Sequence, residues 1–523
     1  LRLRNDGVSK RAIGRELGIP ESSIRAFLKK STHKDWWALN EKPLAAGNIK
    51  SHHNEIEELT EGRYLFLSAQ NNTYVHSKVM DTIENVSDKL GAKIIVGTFS
   101  YNTSGFMKDK EGFWYDPRIV PYIQDRPLKV ADGLLWCGEL NISPTAVNPM
   151  SGLQSYTGES SCIFPHAKLQ LESVATPKHL PAKKMYTTGC VTQRNYISRK
   201  EGQKANFHHT YGCLMVEIDA DGTWFVYQLI ADSDTGAISW GDKEFTYDGK
   251  YKQGVRVEAL NYGDIHSEKR DDLCFRKSFI DEDSLLDLLK PKIQFTNDIS
   301  DFSTRNHHNI DDAFFRFEQQ AANTDYVEDD LGEVVRTLNE MYRPWCETVV
   351  VESNHDLALQ KWVKTANFKN DNIRNAIFLL KCQKKSLESV RDREDFRIFK
   401  WALEELGLEV DTTFLKEDQS YRICKEHGGG IECGSHGHLG ANGGKPSKLT
   451  FARSGAKHNT GHTHAFSIFE GAWCAGITCK TEMGYNKGYS SWSQGHIVTY
   501  SSGKRCIFEF KNGKFFAEKL RGD

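Results

Sequence analysis

Across its 523 residues the chain has no apolar run near the roughly eighteen that a helical membrane span needs, and nothing in it reads as a secretory leader. A soluble, cytoplasmic protein that does not engage membranes is therefore expected. An excess of one charge is also missing. The 68 Lys and Arg stand against 70 Asp and Glu, a net charge of −2, which argues against a polyanion binder over its whole surface but leaves room for local fields. The twelve cysteines lack any zinc-type pairing, and Cys474 and Cys479 are too isolated to build a four-ligand site, so reduced thiols are expected. Between about 61 and 240 no glycine-rich phosphate loop occurs. The chain opens at Leu1 and not at Met, so a few preceding residues are expected. What is present, 39% hydrophobic and 26% charged residues, describes a globular chain long enough for two to four domains.

The clearest local field lies at the start. Residues 1–30 carry eight Lys or Arg against three acids. Ser9 to Leu17, Gly18-Ile19-Pro20 and Glu21 to Leu28 read as a helix-turn-helix, with Ser9 as N-cap and Gly18 ending the first helix. Ala12, Ile13 and Leu17 share one face, and Ile24, Phe27 and Leu28 share the facing one. Such a segment (1–32) resembles the DNA-binding modules of resolvases and transposases, whose second helix enters the major groove. Ser22, Ser23 and Arg25 are then the candidate DNA contacts, although short basic hairpins also serve as oligomer contacts. Residues 33–60 read as a linker containing Trp36-Trp37.

From 61 to 245 a smaller α/β domain is expected. Tyr64–Ser68, Tyr74–Leu90 and Lys93–Phe99 form a β-α-β pattern, which requires parallel strands. Asp219-Ala-Asp-Gly222 reads as a hairpin turn between two further strands. Ser68, Gln70, Asn71, Asn72 and His76, after the first strand, read as turn and capping residues. No function can be assigned to this region from its residues.

The stretch 246–523 carries the chemistry. Five motifs occur in order: Asp264-Ile-His266, Asn297-Asp298-Ile-Ser-Asp301, Asn354-His355-Asp356, His436-Gly437 and Gly461-His462-Thr-His464. Each follows a β-type run, at Val255–Leu260, Lys292–Thr296, Thr348–Val351 and Gly430–Cys433 for the first four. Asp, His and Asn at strand ends are how an α/β scaffold gathers ligands at one sheet edge. Such ligands suit divalent ions of borderline or hard character. Helices around Asp311–Gln320, Leu331–Met341 and Phe396–Leu406 are expected to cover the sheets.

This order of motifs resembles the calcineurin-like metallophosphoesterase superfamily, which includes phosphatases, phosphodiesterases and the SbcD-type nucleases. The resemblance implies an α/β sandwich holding two divalent metals, with manganese favoured and magnesium, zinc or iron also accepted. It implies one metal on Asp264, His266 and His464 and another on Asn354, His436 and His462, bridged by Asp298. His355 is implied as the catalytic residue that protonates the leaving oxygen, and metal-bound hydroxide as the nucleophile. Asp301 is implied to support a ligand. Asn297 and Ser353 depart from the pattern, which has glycine at both positions. Arg305, His307 and His308 are candidate substrate-binding residues, because a phosphate ester needs cations beyond the metals. The series of basic hairpin, α/β unit and phosphoesterase is also similar to the early host-DNA-degrading nucleases of T-five-like coliphages. That likeness implies action on duplex DNA in an infected bacterial cytoplasm, as a homo-oligomer. Two other readings stay open: a phosphatase or small-molecule phosphodiesterase whose N-terminal helices mediate assembly, and a DNA-binding regulator with a relic site.

Overall fold

In the computed structural model, residues 58–101, 113–306 and 308–517 are described. The expected N-terminal helix-turn-helix, with Ser22, Ser23 and Arg25, and the candidate His307 lie outside them. The chain is mixed α/β and divides into two units. One comprises residues up to Glu172, Lys183–Gln253 and the last residues from Phe516; the other comprises Ser173–Ala182 and Gly254–Phe515. Among the described residues no helix is long and apolar enough to cross a membrane. All twelve cysteines are free and buried.

In the first unit, β1 (Gly62–Gln70), α1 (Ser77–Leu90) and β2 (Ala92–Phe99) form a β-α-β unit with β1 and β2 parallel. The helix buries Val79, Met80, Ile83, Val86 and Leu90, which recur at helical spacing on one face. His76 caps it, its side chain accepting from the Val79 N–H. Strands β3 (Gly212–Ile218) and β4 (Trp224–Ile230) form a hairpin that extends the sheet in the order β2-β1-β3-β4.

The second unit contains a six-stranded sheet. In spatial order these are β8 (Thr413–Phe414), β7 (Glu347–Val350), β6 (Ile293–Thr296), β5 (Ala259–Asn261), β14 (Gly495–Thr499) and β15 (Arg505–Glu509). Strands β5 to β8 are parallel, and β14 and β15 are antiparallel. Five further strands lie side by side: β9 (Arg422–Ile423), β10 (Ile431–Glu432), β11 (Lys457–Thr460), β13 (Ala472–Cys474) and β12 (Ser467–Phe469), with β10, β11 and β13 parallel. A buried cluster joins Ala259, Phe295, Val349 and Leu415 of the first sheet region to Ile423, Ile431 and Cys433 of the second. Near the six-stranded sheet lies α2 (Val327–Met341), whose Met341 carbonyl accepts from the Gln294 amide at 2.9 Å. It packs with α4 (Ile373–Asp392) and α5 (Ile398–Glu405), and both of these also contact α3 (Asp356–Thr365).

One expected strand is shorter than the sequence pattern suggests. Val255–Val257 is irregular because Arg256 is tied to the carbonyls of Lys290, Pro291 and Trp345. Pairing begins only at Ala259.

Candidate metal centre

Parallel pairing determines where the polar motifs emerge. Asp264 and His266 follow β5, Asp298 follows β6, and Asn354 and His355 follow β7, so all leave the same carboxyl edge of one sheet. His436 follows β10 and His462 and His464 follow β11, again a parallel pair. Beyond the strands the loops remain joined. The N–H groups of Ile265, His266 and Ser267 donate to the carbonyls of Asn297, Asp298 and Ile299, and the Gly461 N–H donates to His436. Four non-glycine residues of these loops, His266, Asp298, His462 and His464, are left-handed, with φ of 44°, 39°, 72° and 59°. Each costs on the order of 1 kcal/mol and persists only because neighbouring contacts over-determine it.

The converging side chains form three overlapping donor groups: Asp264, His266, Asp298 and His464; Asp298, His436 and His462; and His266, Asp301 and His355. Within each, one ligand atom per residue lies within 4.8 Å of the others. Asp298 belongs to the first two. Its Oδ2 lies 3.2 Å from His436 Nε2 and 3.7 Å from His266 Nε2. Asp264 Oδ2 lies 3.0 Å from His464 Nε2 and accepts from the His462 N–H at 2.7 Å. The fit to a cation is shown by buried acceptors that no donor meets: Asp264 Oδ1, Asp298 Oδ1 and Asn354 Oδ1. Burying such oxygens without a partner is costly, and a positive ion between Asp264 and Asp298, which share a donor group, would satisfy their carboxylates.

Close approach makes glycine obligatory at two places. A Cβ on Gly461 would lie 2.1 Å from Asp264 Oδ1 and 2.9 Å from Asn297 Cβ. One on Gly263 would lie 2.6 Å from the backbone of Gly476 and Ile477.

The electrostatics are dominated by carboxylates in a buried site. Burial opposes charge on His266, but Asp301, Asp298 and Asp264 together raise it to about 9. His436 is raised against the same burial penalty by Asp298 and Asp264, and Asp298 is lowered well below the ordinary range by the surrounding imidazoles. His462 is pushed the other way, down to about 4, by burial and by His436. Deeper in, burial raises Glu268 and Asp356 each to about 8, helped by Asp330 and Asp301 for the first and by Asp298 for the second.

Supporting contacts explain both departures from the glycine pattern. Asn297 donates its amide to the Tyr262 carbonyl at 3.1 Å and places its oxygen 3.3 Å from His436 Nδ1. Ser353 Oγ accepts from the Asp356 N–H at 3.1 Å, holding the loop that leads into α3. Asp301 Oδ1 sits 3.3 Å from His266 Nδ1. Glu268 accepts from Ser300 Oγ and from the N–H groups of Asp301 and Phe302, holding the loop after β6. His355 is 4% exposed, and its Nδ1 donates to the Asp301 carbonyl at 2.9 Å.

One expectation is corrected. Arg305 does not face the centre as a free substrate contact. It is buried, bonded to Asp325, and 2.7 Å from Asp371 Oδ1, so its charge is already neutralised inside the unit. Residues that the motif pattern did not single out also border the centre. His438 packs its ring 5.4 Å from that of His436 and its Nε2 lies 2.7 Å from Glu417 Oε1. Trp492 packs edge-on to His464 at 4.1 Å, and Tyr485 stacks on His308 at 4.3 Å. The second histidine of His436-Gly-His438 was visible as a repeat of the motif; the aromatic residues carried no comparable signal.

Compared with known proteins, the chain is 39% identical over 490 residues to Protein A1 of Escherichia phage T5, an alignment covering 91% of this chain and 87% of that protein. No family model matches the chain. No solved structure matches it either.

Proposed function

The chain belongs to the family of Protein A1 of Escherichia phage T5, and we propose that it is a metal-dependent nuclease that hydrolyses DNA phosphodiester bonds in the cytoplasm of an infected bacterium. The observation that carries this reading is the carboxylate of Asp298, shared between two donor groups and flanked by buried oxygens without donors. When bound, a pair of divalent cations, manganese the first choice, supplies Lewis acidity to the phosphoryl oxygens and an activated water near neutral pH. Asp264, His266 and His464 would hold one cation and Asn354, His436 and His462 the other, with Asp298 available to both. Asp301 aligns His266, and Asn297 aligns His436, so that the opposite ring nitrogens face inward. His355, fixed through Nδ1 on the Asp301 carbonyl, holds a proton at Nε2 for the leaving oxygen.

DNA as substrate is supported by the basic composition and helix-turn-helix-like sequence pattern of residues 1–32, by kinship with a phage protein, and by the resemblance of the motif series to SbcD-type nucleases. The test is incubation with linear and circular duplex DNA and manganese, beside an Asp298→Ala control. Degradation by the intact chain alone supports the proposal, and loss of the circle adds endonuclease action. Intact DNA with hydrolysis of a small phosphodiester would transfer the assignment to a phosphatase or small-molecule phosphodiesterase.

A further inference from the structure

The second donor group has a neighbour that the proposed chemistry leaves unused. His438 follows His436 by one glycine and stands half-buried beside two imidazoles of that group. Its ring centre is 5.4 Å from that of His436 and 6.1 Å from that of His462. His438 is not among the residues whose ligand atoms gather within 4.8 Å around Asp298, so it does not share their ion. Its two nitrogens have different surroundings. Nε2 lies 2.7 Å from Glu417 Oε1, whereas Nδ1 is buried and meets no partner among the described residues. Glu417 is itself anchored, since its N–H donates at 2.9 Å to Oε2 of Glu352, two residues before Asn354.

A carboxylate can only accept, so the contact with Glu417 places the N–H of the neutral ring on Nε2 and leaves Nδ1 as an acceptor. A buried acceptor without a donor is costly, and the position calls for a molecule that brings one. The ring packs against the imidazoles that would hold an ion but lies outside their group, which suits it to touch a molecule brought to that ion. Hydrolysis brings two candidates, a donor group of the substrate and the attacking water. The phosphate oxygens of a DNA diester are themselves acceptors, so they have no bond to make with Nδ1. Water offers an O–H, and every hydrolysis requires it.

We propose that His438, held through Nε2 by Glu417, accepts a hydrogen bond at Nδ1 from the attacking water and so turns a lone pair of that water toward phosphorus. His438 is thereby set on the nucleophile, as His355 is set on the leaving oxygen. The proposal rests on the hydrolytic reading given above, and its test separates the two.

The experiment uses the full chain with manganese, on duplex DNA and on bis(p-nitrophenyl) phosphate, a diester without donor groups. His438→Ala should lower kcat about 10²-fold on both with KM little changed, the loss expected when a reacting group is misplaced. His438→Phe keeps the bulk of the ring without its nitrogens and should show the same loss. Manganese affinity, measured by calorimetric titration, should be unchanged in both variants. Free imidazole should restore turnover to His438→Ala and none to Asp298→Ala. Glu417→Ala should lose about tenfold in kcat, the low end of what losing an orienting partner costs a metal-site histidine. The double variant should be no slower than His438→Ala, because Glu417 acts only through that ring. A raised KM for DNA with kcat kept would assign Nδ1 to a donor of the substrate and overturn the proposal. Lost manganese affinity would make the ring a prop for His436 and His462, and would overturn it too. If the intact chain cuts the small diester and not DNA, the nuclease reading alone falls and the variants are read on the diester. If it cuts neither, the hydrolytic reading and the proposal fall together.

Discussion

The side-chain oxygen of Asn297 lies 3.3 Å from Nδ1 of His436, and the opposite nitrogen of that ring lies 3.2 Å from Asp298. One amide therefore sets the tautomer and the orientation of a donor contributed by a different strand. Asn297→Ala should lower manganese affinity about 10- to 100-fold while leaving the unfolding midpoint nearly unchanged, as is typical when a ligand loses its orienting partner. Calorimetric titration with manganese measures the first and urea unfolding the second. An unchanged affinity would show that His436 does not need the amide.

Asp298→Ala and His355→Ala should separate holding metal from moving a proton. The first removes the carboxylate common to two donor groups, so both bound metal and hydrolysis should be lost. His355→Ala should keep most of the metal and lose turnover by about 10²- to 10⁴-fold. Metal content after gel filtration decides between roles. Equal loss in both variants would make His355 a ligand, through its group with His266 and Asp301.

Gly461→Ala should empty the centre without changing its chemistry. The added methyl would fall 2.1 Å from Asp264 Oδ1, and relief requires moving either that ligand or the loop carrying His462. A destabilisation of about 1–3 kcal/mol is expected, with loss of bound manganese. Full metal content in the variant would show that the loop yields more readily than its contacts indicate.

Arg305 should matter for stability and not for substrate affinity. Arg305→Met leaves Asp325 buried without its cation and Asp371 with only Arg316, 3.7 Å away, and breaking a buried pair typically costs about 3–5 kcal/mol. The variant should unfold at markedly lower urea, and whatever folded protein remains should keep its KM. A raised KM at full stability would restore the substrate role expected from its sequence position.

The first unit should lose stability in mild acid. His166 accepts the Lys168 N–H at Nδ1 and lies 3.1 Å from the Ser143 carbonyl at Nε2, which requires the neutral ring; burial pushes it down to about 4. His209 is pushed down to about 3 by burial and by Arg194. Both lie below the ordinary value of 6.5, so the unfolded chain takes up protons first as pH falls. Their contribution is full above about 6.5 and is lost toward 4 for His166 and toward 3 for His209, at roughly 1.4 kcal/mol per pH unit for each histidine. Urea midpoints at pH 7.5, 6 and 5 measure the slope, and His166→Gln should flatten it. A slope the same in both proteins would assign it to other groups.

What the sequence determined by itself is the order of polar motifs and the strands in front of them. A run such as Ile293–Thr296 followed by Asn-Asp carries both signals within six residues, and local pattern is enough to read it. The β-α-β unit over Gly62–Phe99 was legible for the same reason, since apolar spacing changes there from period two to helical period. Other features exist only once distant segments meet. That Asp298 faces His436 and His266 at once depends on β6 lying beside β5 while the loop after β10 meets it from the second group of strands. The capture of Arg305 by Asp325 and Asp371 joins residues 20 and 66 positions away, which no local charge pattern encodes. The roles of Asn297, Glu268 and Trp492 are likewise set by what they touch across the fold. Sequence lists the donors, because ligand chemistry belongs to residue type. Only tertiary structure decides which donors share an ion, because sharing is a matter of distances between strands.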